Sequence, residues 1–426
     1  MSEADLFNRK SYRNYALFIL MSAYVFNFID RQILSILQEP IKSELNLSDT
    51  QLGLLTGFAF AMFYVVMGLP VARWADHGIR RNIIALSVTV WSFFTAISGL
   101  VTSYTQLLLV RIGVGVGEAG CSPPSHSLIS DIFPRQERAT AIGIYTVGVN
   151  IGILLGFLIG GWINEFFGWR AAFFAVGLPG VLLALIIRFT LKEPRRGRVD
   201  HRPTSDTETV PSLGEVFRLL WGLRTFRHMA LAAGLIAFAG YALLNWLPSF
   251  FIRVHGLSTG TVGTWFAMIL GVGGGLATWL VGWLSDRLGQ HDLRWYLWLT
   301  ALTIAAYLPL LIWMFFVDNP QLGLLLYIIP GAFITTYLAP IVAVTQSLVP
   351  NRMRALSSAI VYLVLNVIGL GLGPLSVGFI SDLLMPSLGV ESLRYALATL
   401  VPVAALLGII QLMLGARHIR DESPPT

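Results

Sequence analysis

Twelve long apolar segments constrain the fold of this chain more than any other feature of its sequence. The hydrocarbon core of a bilayer is about 30 Å thick, so a helix that crosses it needs roughly 20 mostly apolar residues. Segments of this kind lie near residues 14–37, 50–72, 82–102, 104–131, 138–163, 169–191, 226–253, 258–285, 295–317, 321–349, 353–381 and 393–416. Charged residues make up only 12% of the 426, against about 25% in a soluble domain. We therefore predict an all-α membrane protein with twelve transmembrane helices.

The basic residues predict the orientation of these helices, because Lys and Arg accumulate in short loops on the cytoplasmic side. If both termini are cytoplasmic, 23 of the 29 Lys and Arg residues lie on the inner side or at inner helix ends. Those left on the outer side are Lys42, Arg170, Arg253 and Arg394, and two more lie within the membrane. We expect a multi-pass protein of the plasma (inner) membrane. Its net charge of +6 then follows from topology and implies no nucleic-acid partner.

The two halves of the chain repeat one another. A polar interval at 192–224 predicts a cytoplasmic linker between an N-terminal six-helix bundle, residues 1–191, and a C-terminal six-helix bundle, residues 225–426. A constant offset of 216 residues carries Arg138 onto Arg354 and Asn150 onto Asn366. This duplication predicts two bundles related by a pseudo-two-fold axis, with a binding site between them.

Two loops and two helices carry a resemblance to a known family. GWLSDRLG, residues 282–289, matches the loop signature Gly-x-Leu-Ala-Asp-Arg-x-Gly-Arg-Arg of the major facilitator superfamily, and ARWADHGIRR, residues 72–81, matches it more loosely. Within the superfamily, DRQILSIL in helix one and RIGVGVGEAG in helix four resemble the Spinster family. One departure is that Phe157 follows Gly156 where many antiporters carry Gly-Pro. The resemblance implies the major facilitator fold and secondary transport by alternating access.

Four ionisable residues, Asp30, Arg31, Arg111 and Glu118, lie at membrane depth. A charge there is costly unless it is paired or faces water, so such residues usually mark an ion or substrate path. Arg111 and Glu118 are nearly two helical turns apart on one face, about 10 Å from each other. From the direction of helices one and four, we expect Asp30 to meet Arg111, with Glu118 further along the same cavity.

These four residues have separate predicted roles. Asp30 and Glu118 are candidates for proton carriage, because a carboxylate exchanges its proton when its solvation and its charged neighbours change. Arg31 and Arg111 are candidates for pairing with them or for binding an anionic headgroup. The alternative is a static cluster that fixes helix packing, although structural buried ion pairs are poor stabilisers.

Polar residues near mid-membrane supply the candidates for a substrate cavity. They are Tyr24, Asn27, Asn150, Tyr241, Asn245, Trp246, Thr335, Tyr337 and Asn366. Any one of them could instead serve helix packing, and the glycines at every fourth position from 148 to 160 predict a packing seam. The C-terminal half holds no charge at mid-membrane. A cavity charged on one wall and apolar on the other would suit an amphiphile.

The family resemblance implies a lysophospholipid or a sphingoid phosphate as that amphiphile. Two alternatives stay open: a proton-coupled carrier of a small organic anion or a drug, and a membrane sensor that binds ligand without transport. A sensor would be expected to carry a signalling domain, for which the short tails at 1–13 and 417–426 leave no room.

The repeated loops predict a gate on the cytoplasmic side. Its candidate residues are Asp76, Arg80, Arg138, Asp286, Arg287 and Arg354. Asp76 and Asp286 are expected to approach the positive start of a helix in the other half, near Arg354 or Arg138.

Other kinds of chemistry are not expected. The sequence has no phosphate-binding Gly-x-x-x-x-Gly-Lys-Ser/Thr motif, so ATP-driven transport is unsupported and an ion gradient remains as the driving force. No nucleophile or metal set accompanies the buried acids. We therefore expect a transporter and no enzyme, without metal or cofactor, that works as a monomer with protons and membrane lipid as its other partners.

Overall fold

Helices account for almost all of the described residues, as predicted. A computed structural model describes residues 3–199 and 212–422, so residues 200–211 of the predicted linker lie outside the described part. The transmembrane helices are α1 (Lys10–Leu45), α2 (Asp49–His77), α3 (Arg80–Ser98), α4 (Tyr104–Glu118, continued by Ser122–Ile132), α5 and α6 (together Arg135–Thr190), α7 (Arg224–Arg253), α8 (Thr259–Gly289), α9 (Arg294–Phe315), α10 (Pro320–Ser347), α11 (Arg354–Val364, continued through Leu365–Leu372 to Gly373–Leu388) and α12 (Ser392–Glu422). Short helices at Glu3–Asn8 and Leu213–Gly222 precede α1 and α7.

The membrane-spanning prediction is confirmed. Nine helical stretches among residues 3–199 and 212–422 are long and apolar enough to cross a bilayer. Two of them, Arg135–Thr190 and Arg354–Glu422, contain 56 and 69 residues and are long enough for two crossings each. The interrupted helix α4 completes the twelve segments predicted from the sequence.

Helices α5 and α6 are separated at a single glycine. Gly168 has φ 82° and ψ 164°, a backbone conformation that is open essentially to glycine alone. Space does not require a glycine at this position, since a Cβ atom would meet nothing within 4 Å. The backbone conformation is therefore what requires the glycine, and it separates α5 from α6.

We expect the Gly168→Ala variant to be less stable than the wild type by about 1–3 kcal/mol, the usual cost of such a backbone conformation for a residue with a Cβ atom. Thermal unfolding in detergent would measure the change. Gly143→Ala is the matched control, because Gly143 lies inside α5 with equally open space around it, and alanine there should be neutral or stabilising. Equal losses in both variants would contradict this explanation of the turn.

The predicted glycine seam lies between α5 and α1. A Cβ atom on Gly152 would lie 2.5 Å from the Cβ of Phe28, and one on Gly156 would lie 2.9 Å from the Cβ of Gln32. The two helices therefore approach closely on either side of Asp30 and Arg31. This packing fixes the position of the stretch of α1 that carries two of the buried charges.

Contacts divide the chain into two compact units. Unit one comprises the chain up to Asn46, the stretch from Ala59 into the linker, and Thr259–Ala267; unit two comprises Leu47–Phe58 and the rest of the chain. The beginning of α2 thus groups with unit two, and the beginning of α8 groups with unit one. In each helix the change of unit lies next to a π-helical segment, Leu54–Phe58 in α2 and Ala267–Gly273 in α8.

Candidate functional site

The four buried charges of unit one form two ion pairs. Asp30 Oδ1 lies 3.9 Å from Arg111 Nη1, which confirms the pairing expected from the sequence. Arg31 Nε donates a hydrogen bond of 2.6 Å to Glu118 Oε2, a partnership that the sequence had left open. Asp30, Arg111 and Glu118 are each at most 2% exposed. The site therefore holds two acids and two bases, of which Asp30, Arg111 and Glu118 are almost completely removed from solvent and Arg31 keeps 16% of its side chain exposed.

Helix geometry explains why neighbouring residues of α1 reach different partners. Consecutive helical side chains point about 100° apart, so Asp30 and Arg31 are directed at separate points. On α4, Arg111 and Glu118 lie about 10 Å apart along one face. Glycines between these two residues let α3 approach, because a Cβ atom on Gly117 would lie 2.7 Å from the backbone nitrogen of Trp91.

Thr95 of α3 belongs to the site and was missed by the sequence analysis. Its hydroxyl donates a short hydrogen bond to Asp30 Oδ2, and the residue is 1% exposed. A threonine in an apolar helix commonly bonds its own backbone, as Thr89 does by donating to the carbonyl of Ala85 at 2.8 Å. The sequence held no signal that separated these two threonines.

Aromatic rings surround the guanidinium of Arg31. Its Cζ atom lies 5.2 Å from the ring centroid of Phe28, 5.1 Å from that of Phe60 and 4.9 Å from that of Tyr64. Phe60 also lies 5.5 Å from Arg111 Cζ, so one ring of α2 contacts both arginines. Cation–π contacts of this kind stabilise a desolvated guanidinium. These rings were not predicted, because aromatic residues are common throughout membrane helices.

Several buried polar atoms of the site have no hydrogen-bond partner among the described residues. They are Asn27 Nδ2, Asp30 Oδ1, Glu118 Oε1, and Nε and Nη1 of Arg111. Buried polar groups are normally satisfied, so their concentration in one place marks it as a site with hydrogen-bonding capacity for a proton, a water molecule or a polar ligand group. Arg111 contributes two of these donors.

The other cavity candidates of unit one lie nearby in different environments. Tyr24 stacks on Tyr145 with 4.5 Å between ring centroids. Asn27 is 2% exposed, whereas Asn150 is only partly buried.

In unit two, the cavity candidates have varied surroundings. Trp246 is fully buried and donates its indole N–H to the carbonyl of Pro374 at 2.8 Å. Asn245 donates to the carbonyl of Tyr241 within α7 at 2.9 Å. Thr335 is exposed, Tyr337 is buried and Asn366 lies in the π segment of α11.

Most of the predicted gate residues make contacts within their own unit. In unit one, Arg80 is 1% exposed and bonds Asp131, Ser127 and Glu193. Arg138 donates a hydrogen bond of 2.6 Å to the carbonyl of Ser130. In unit two, Asp286 accepts a bond of 2.9 Å from the hydroxyl of Tyr296, and Arg354 donates one of 3.2 Å to the carbonyl of Gln346. The Cζ atom of Arg287 lies 5.5 Å from the ring centroid of Trp283. Asp76 is exposed. Arg80 thus has a role inside unit one that the sequence did not indicate.

Comparisons with known proteins agree on one family. The model of the Major Facilitator Superfamily matches residues 20–374. An "MFS-type efflux pump" of Mycolicibacterium smegmatis is 35% identical over 396 residues, which cover 93% of this chain and 91% of that protein. A "Cis,cis-muconate transport protein" of Acinetobacter baylyi is 28% identical over 382 residues, covering 84% and 87%.

A solved structure is similar over nearly the whole length. It is the crystal structure of a bacterial homologue of the human lysosomal transporter Spinster, in an inward-facing and unoccupied conformation. The similarity has a TM-score of 0.87 at 32% sequence identity and covers 98% of this chain and 99% of that one.

Proposed function

The chain belongs to the major facilitator superfamily of membrane transporters and is similar to Spinster homologues; from this premise we propose that it is a proton-coupled secondary transporter of a lipid-like amphiphile. The two buried acid–base pairs of unit one carry the proposal. We further propose that it acts as a monomer in the plasma membrane, with both termini cytoplasmic.

Proton coupling is supported by the balance of charge in the site. Two acids face two bases, so the cluster is neutral when both carboxylates are ionised. A proton on Glu118 removes one of the two negative charges and leaves the buried cluster with a net positive charge, which is costly without a compensating anion. Protonation therefore favours a rearrangement or the arrival of an anion. The rings of Phe28, Phe60 and Tyr64 can continue to hold Arg31 when it leaves Glu118.

The substrate class is supported by the uneven distribution of charge between the units. Unit one supplies the arginines, and Arg111 has two buried N–H donors suited to the oxygens of a phosphate or carboxylate. The polar side chains of Asn245 and Trp246 in unit two bond neighbouring backbone carbonyls. An anionic headgroup beside Arg111 and an acyl chain along apolar helices fit this arrangement. Lysophospholipids and sphingoid phosphates have both parts.

A small organic anion or a drug is the second candidate substrate. The relatives named as a cis,cis-muconate transport protein and an efflux pump favour it. An organic anion would use the same Arg111 donors but would gain nothing from long apolar walls.

Flux in proteoliposomes tests both candidates. The protein would be offered a lysophospholipid, a sphingoid phosphate, a muconate-like dicarboxylate and a cationic drug, each with and without a pH gradient. We expect the gradient to drive accumulation of an amphiphile. Accumulation of the dicarboxylate or the drug alone would favour the second candidate, and gradient-independent flux of every compound would contradict proton coupling.

For the cytoplasmic side, we propose that Asp76 and Asp286 act as latches on helix starts of the opposite half when that side is shut. An Asp at a helix start gains about 0.3–1 kcal/mol, enough to bias a two-state equilibrium severalfold. Spin-label distances between the inner ends of α2 and α11 should lengthen in Asp76→Asn and Asp286→Asn. Unchanged distance distributions in both variants would exclude the latch.

A further inference from the structure

Arg13, near the start of α1, is a buried cation outside the cluster of four charges. It is 8% exposed. Its Nη2 atom lies 3.3 Å from Glu137 Oε2, and its Cζ atom lies 5.7 Å from the ring centroid of Phe133. Its Nε atom is buried and has no hydrogen-bond partner among residues 3–199 and 212–422. Arg13 therefore carries a buried donor that a ligand can use.

Glu137 compensates the charge of Arg13 only in part. The contact of 3.3 Å is longer than the roughly 2.7–2.9 Å of a charge-assisted hydrogen bond. The side chain of Glu137 is also 48% exposed, so water screens the pair. A buried charge without a full partner is costly, and a further anion beside Arg13 would reduce this cost.

A second guanidinium lies near Arg13. Arg198, at the beginning of the linker, donates a bond of 2.5 Å from Nη2 to Asn8 Oδ1. Burial, and then the charge of Arg13, lower the pKa of Arg198. The two arginines therefore lie close enough to repel one another. An anion that contacts both of them removes this repulsion.

The linker is anchored where it carries Arg198. Arg196 donates Nη2 to the carbonyl of Gly78, after α2, at 2.8 Å. Gly197 donates its backbone N–H to Asp131 Oδ1 of α4 at 3.0 Å and has φ 65°, a conformation that favours glycine. Two points of unit one thus hold the residues that precede Arg198, and its position near Arg13 is fixed by the fold.

Aromatic rings contact both guanidinium groups. Besides the contact of Arg13 with Phe133, Arg198 Cζ lies 5.1 Å from the ring centroid of Phe7. Phe7 is 4% exposed and packs edge-on against Tyr12, with 5.5 Å between the ring centroids. Cation–π contacts restrict an arginine side chain but do not occupy its N–H donors in hydrogen bonds to oxygen. The donors therefore remain available to an oxygen-rich anion.

We propose that Arg13 and Arg198 form a binding site for a phosphate group at the end of unit one that carries the linker. The phosphate oxygens accept from Nε of Arg13 and from the remaining N–H groups of Arg198. Arginine suits this ligand, because its planar group offers paired donors that match phosphate geometry. With two arginines and one glutamate, the site has a net positive charge that a phosphate neutralises.

This site is separate from the four charges of the proposed transport site. Arg13 lies about 25 Å along α1 from Asp30, at a rise of about 1.5 Å per residue. The phosphate can belong to a phospholipid headgroup or to a soluble phosphate ester. The inference depends on neither proton coupling nor the identity of the transported substrate.

Isothermal titration calorimetry of the purified full-length chain in a non-ionic detergent tests the site. The probes are inorganic phosphate, glycerol 3-phosphate and dioctanoyl phosphatidic acid, at matched ionic strength. Binding of all three would identify soluble phosphates as ligands, and binding of phosphatidic acid alone would identify a lipid headgroup. We expect Arg13→Gln and Arg198→Gln each to weaken binding about tenfold or more. Arg198 is only half-buried, so its variant keeps the test decisive if Arg13→Gln does not fold.

Arg195→Gln is the matched control. It removes the same charge from the same stretch of linker, but Arg195 is exposed, so binding should change less than twofold. Arg111→Lys separates this site from the proposed headgroup site and should leave the affinity unchanged. The proposal is overturned if none of the three probes binds the wild type, or if either of these two variants weakens binding as much as Arg198→Gln does.

Discussion

Accumulation driven by a pH gradient should be lost in both Glu118→Gln and Asp30→Asn, while purified protein remains folded. One pH unit is worth about 1.36 kcal/mol per proton, so a coupled carrier can accumulate its substrate roughly tenfold across such a gradient. Without a titrating carboxylate, the accumulation ratio should fall to about one. Flux into proteoliposomes with an imposed pH gradient, at matched protein content, measures this ratio.

The two variants should differ in stability, because their arginine partners are buried to different degrees. Asp30→Asn leaves Arg111 unpaired with 3% of its side chain exposed, and removal of one partner of a buried pair costs about 3–5 kcal/mol. Glu118→Gln leaves Arg31 with 16% exposure and three aromatic rings around it, so it should cost less. Thermal unfolding in detergent would compare them.

Glu44→Gln is the control for these acid-to-amide changes. Glu44 pairs with Arg170 at 2.5 Å, and half of its side chain is exposed. Accumulation should persist in this variant. Undiminished gradient-driven accumulation in both Glu118→Gln and Asp30→Asn would remove the carboxylates from proton coupling.

Arg111→Lys should weaken transport of an anionic substrate far more than that of a neutral analogue. A lysine keeps the charge but cannot offer the planar pair of donors that binds phosphate or carboxylate. Hydrogen bonds to charged groups are worth about 1.5–3 kcal/mol, so we expect a loss of roughly 10- to 150-fold for the anionic substrate. Concentration-dependent flux of a matched anionic and neutral pair of compounds measures the difference.

Arg31→Lys is the matched control for this substitution. Arg31 donates to Glu118 and is enclosed by aromatic rings, so the change should affect both compounds to a similar extent. Equal losses for the two compounds in Arg111→Lys would exclude Arg111 from headgroup binding.

The pairing of Asp30 with Arg111 could be predicted because it depends on properties that follow directly from the sequence. Helix rise and helix direction place both residues at one depth, and buried charges require partners. The pairing of Arg31 with Glu118 was harder to predict from the sequence, because it depends on the rotation of α1 about its own axis. The contacts of Thr95 and Phe60 with the site depend on which helices are neighbours in the folded chain.

Trp246 shows why cavity walls were harder to predict than charged pairs. In a soluble protein, a polar face tells which side of a helix meets solvent. In a membrane, lipid and protein core are both apolar, so an aromatic residue in a helix gives no sign of which one it meets. The hydrogen bond from Trp246 to Pro374, which no sequence pattern indicates, exists only in the folded chain.

The sequence by itself determined the twelve helices, the internal duplication, the superfamily and the four charges at membrane depth. Lipid imposes these features one segment at a time, through the length of apolar chain and the cost of each charge. Only the tertiary structure decided that the first turns of α2 and α8 group with the opposite units. The physical reason is that this grouping arises from glycine contacts and carboxylate bonds between helices distant in sequence, such as Asp49 with Asp382, whose positions are set by packing and not by hydrophobic length.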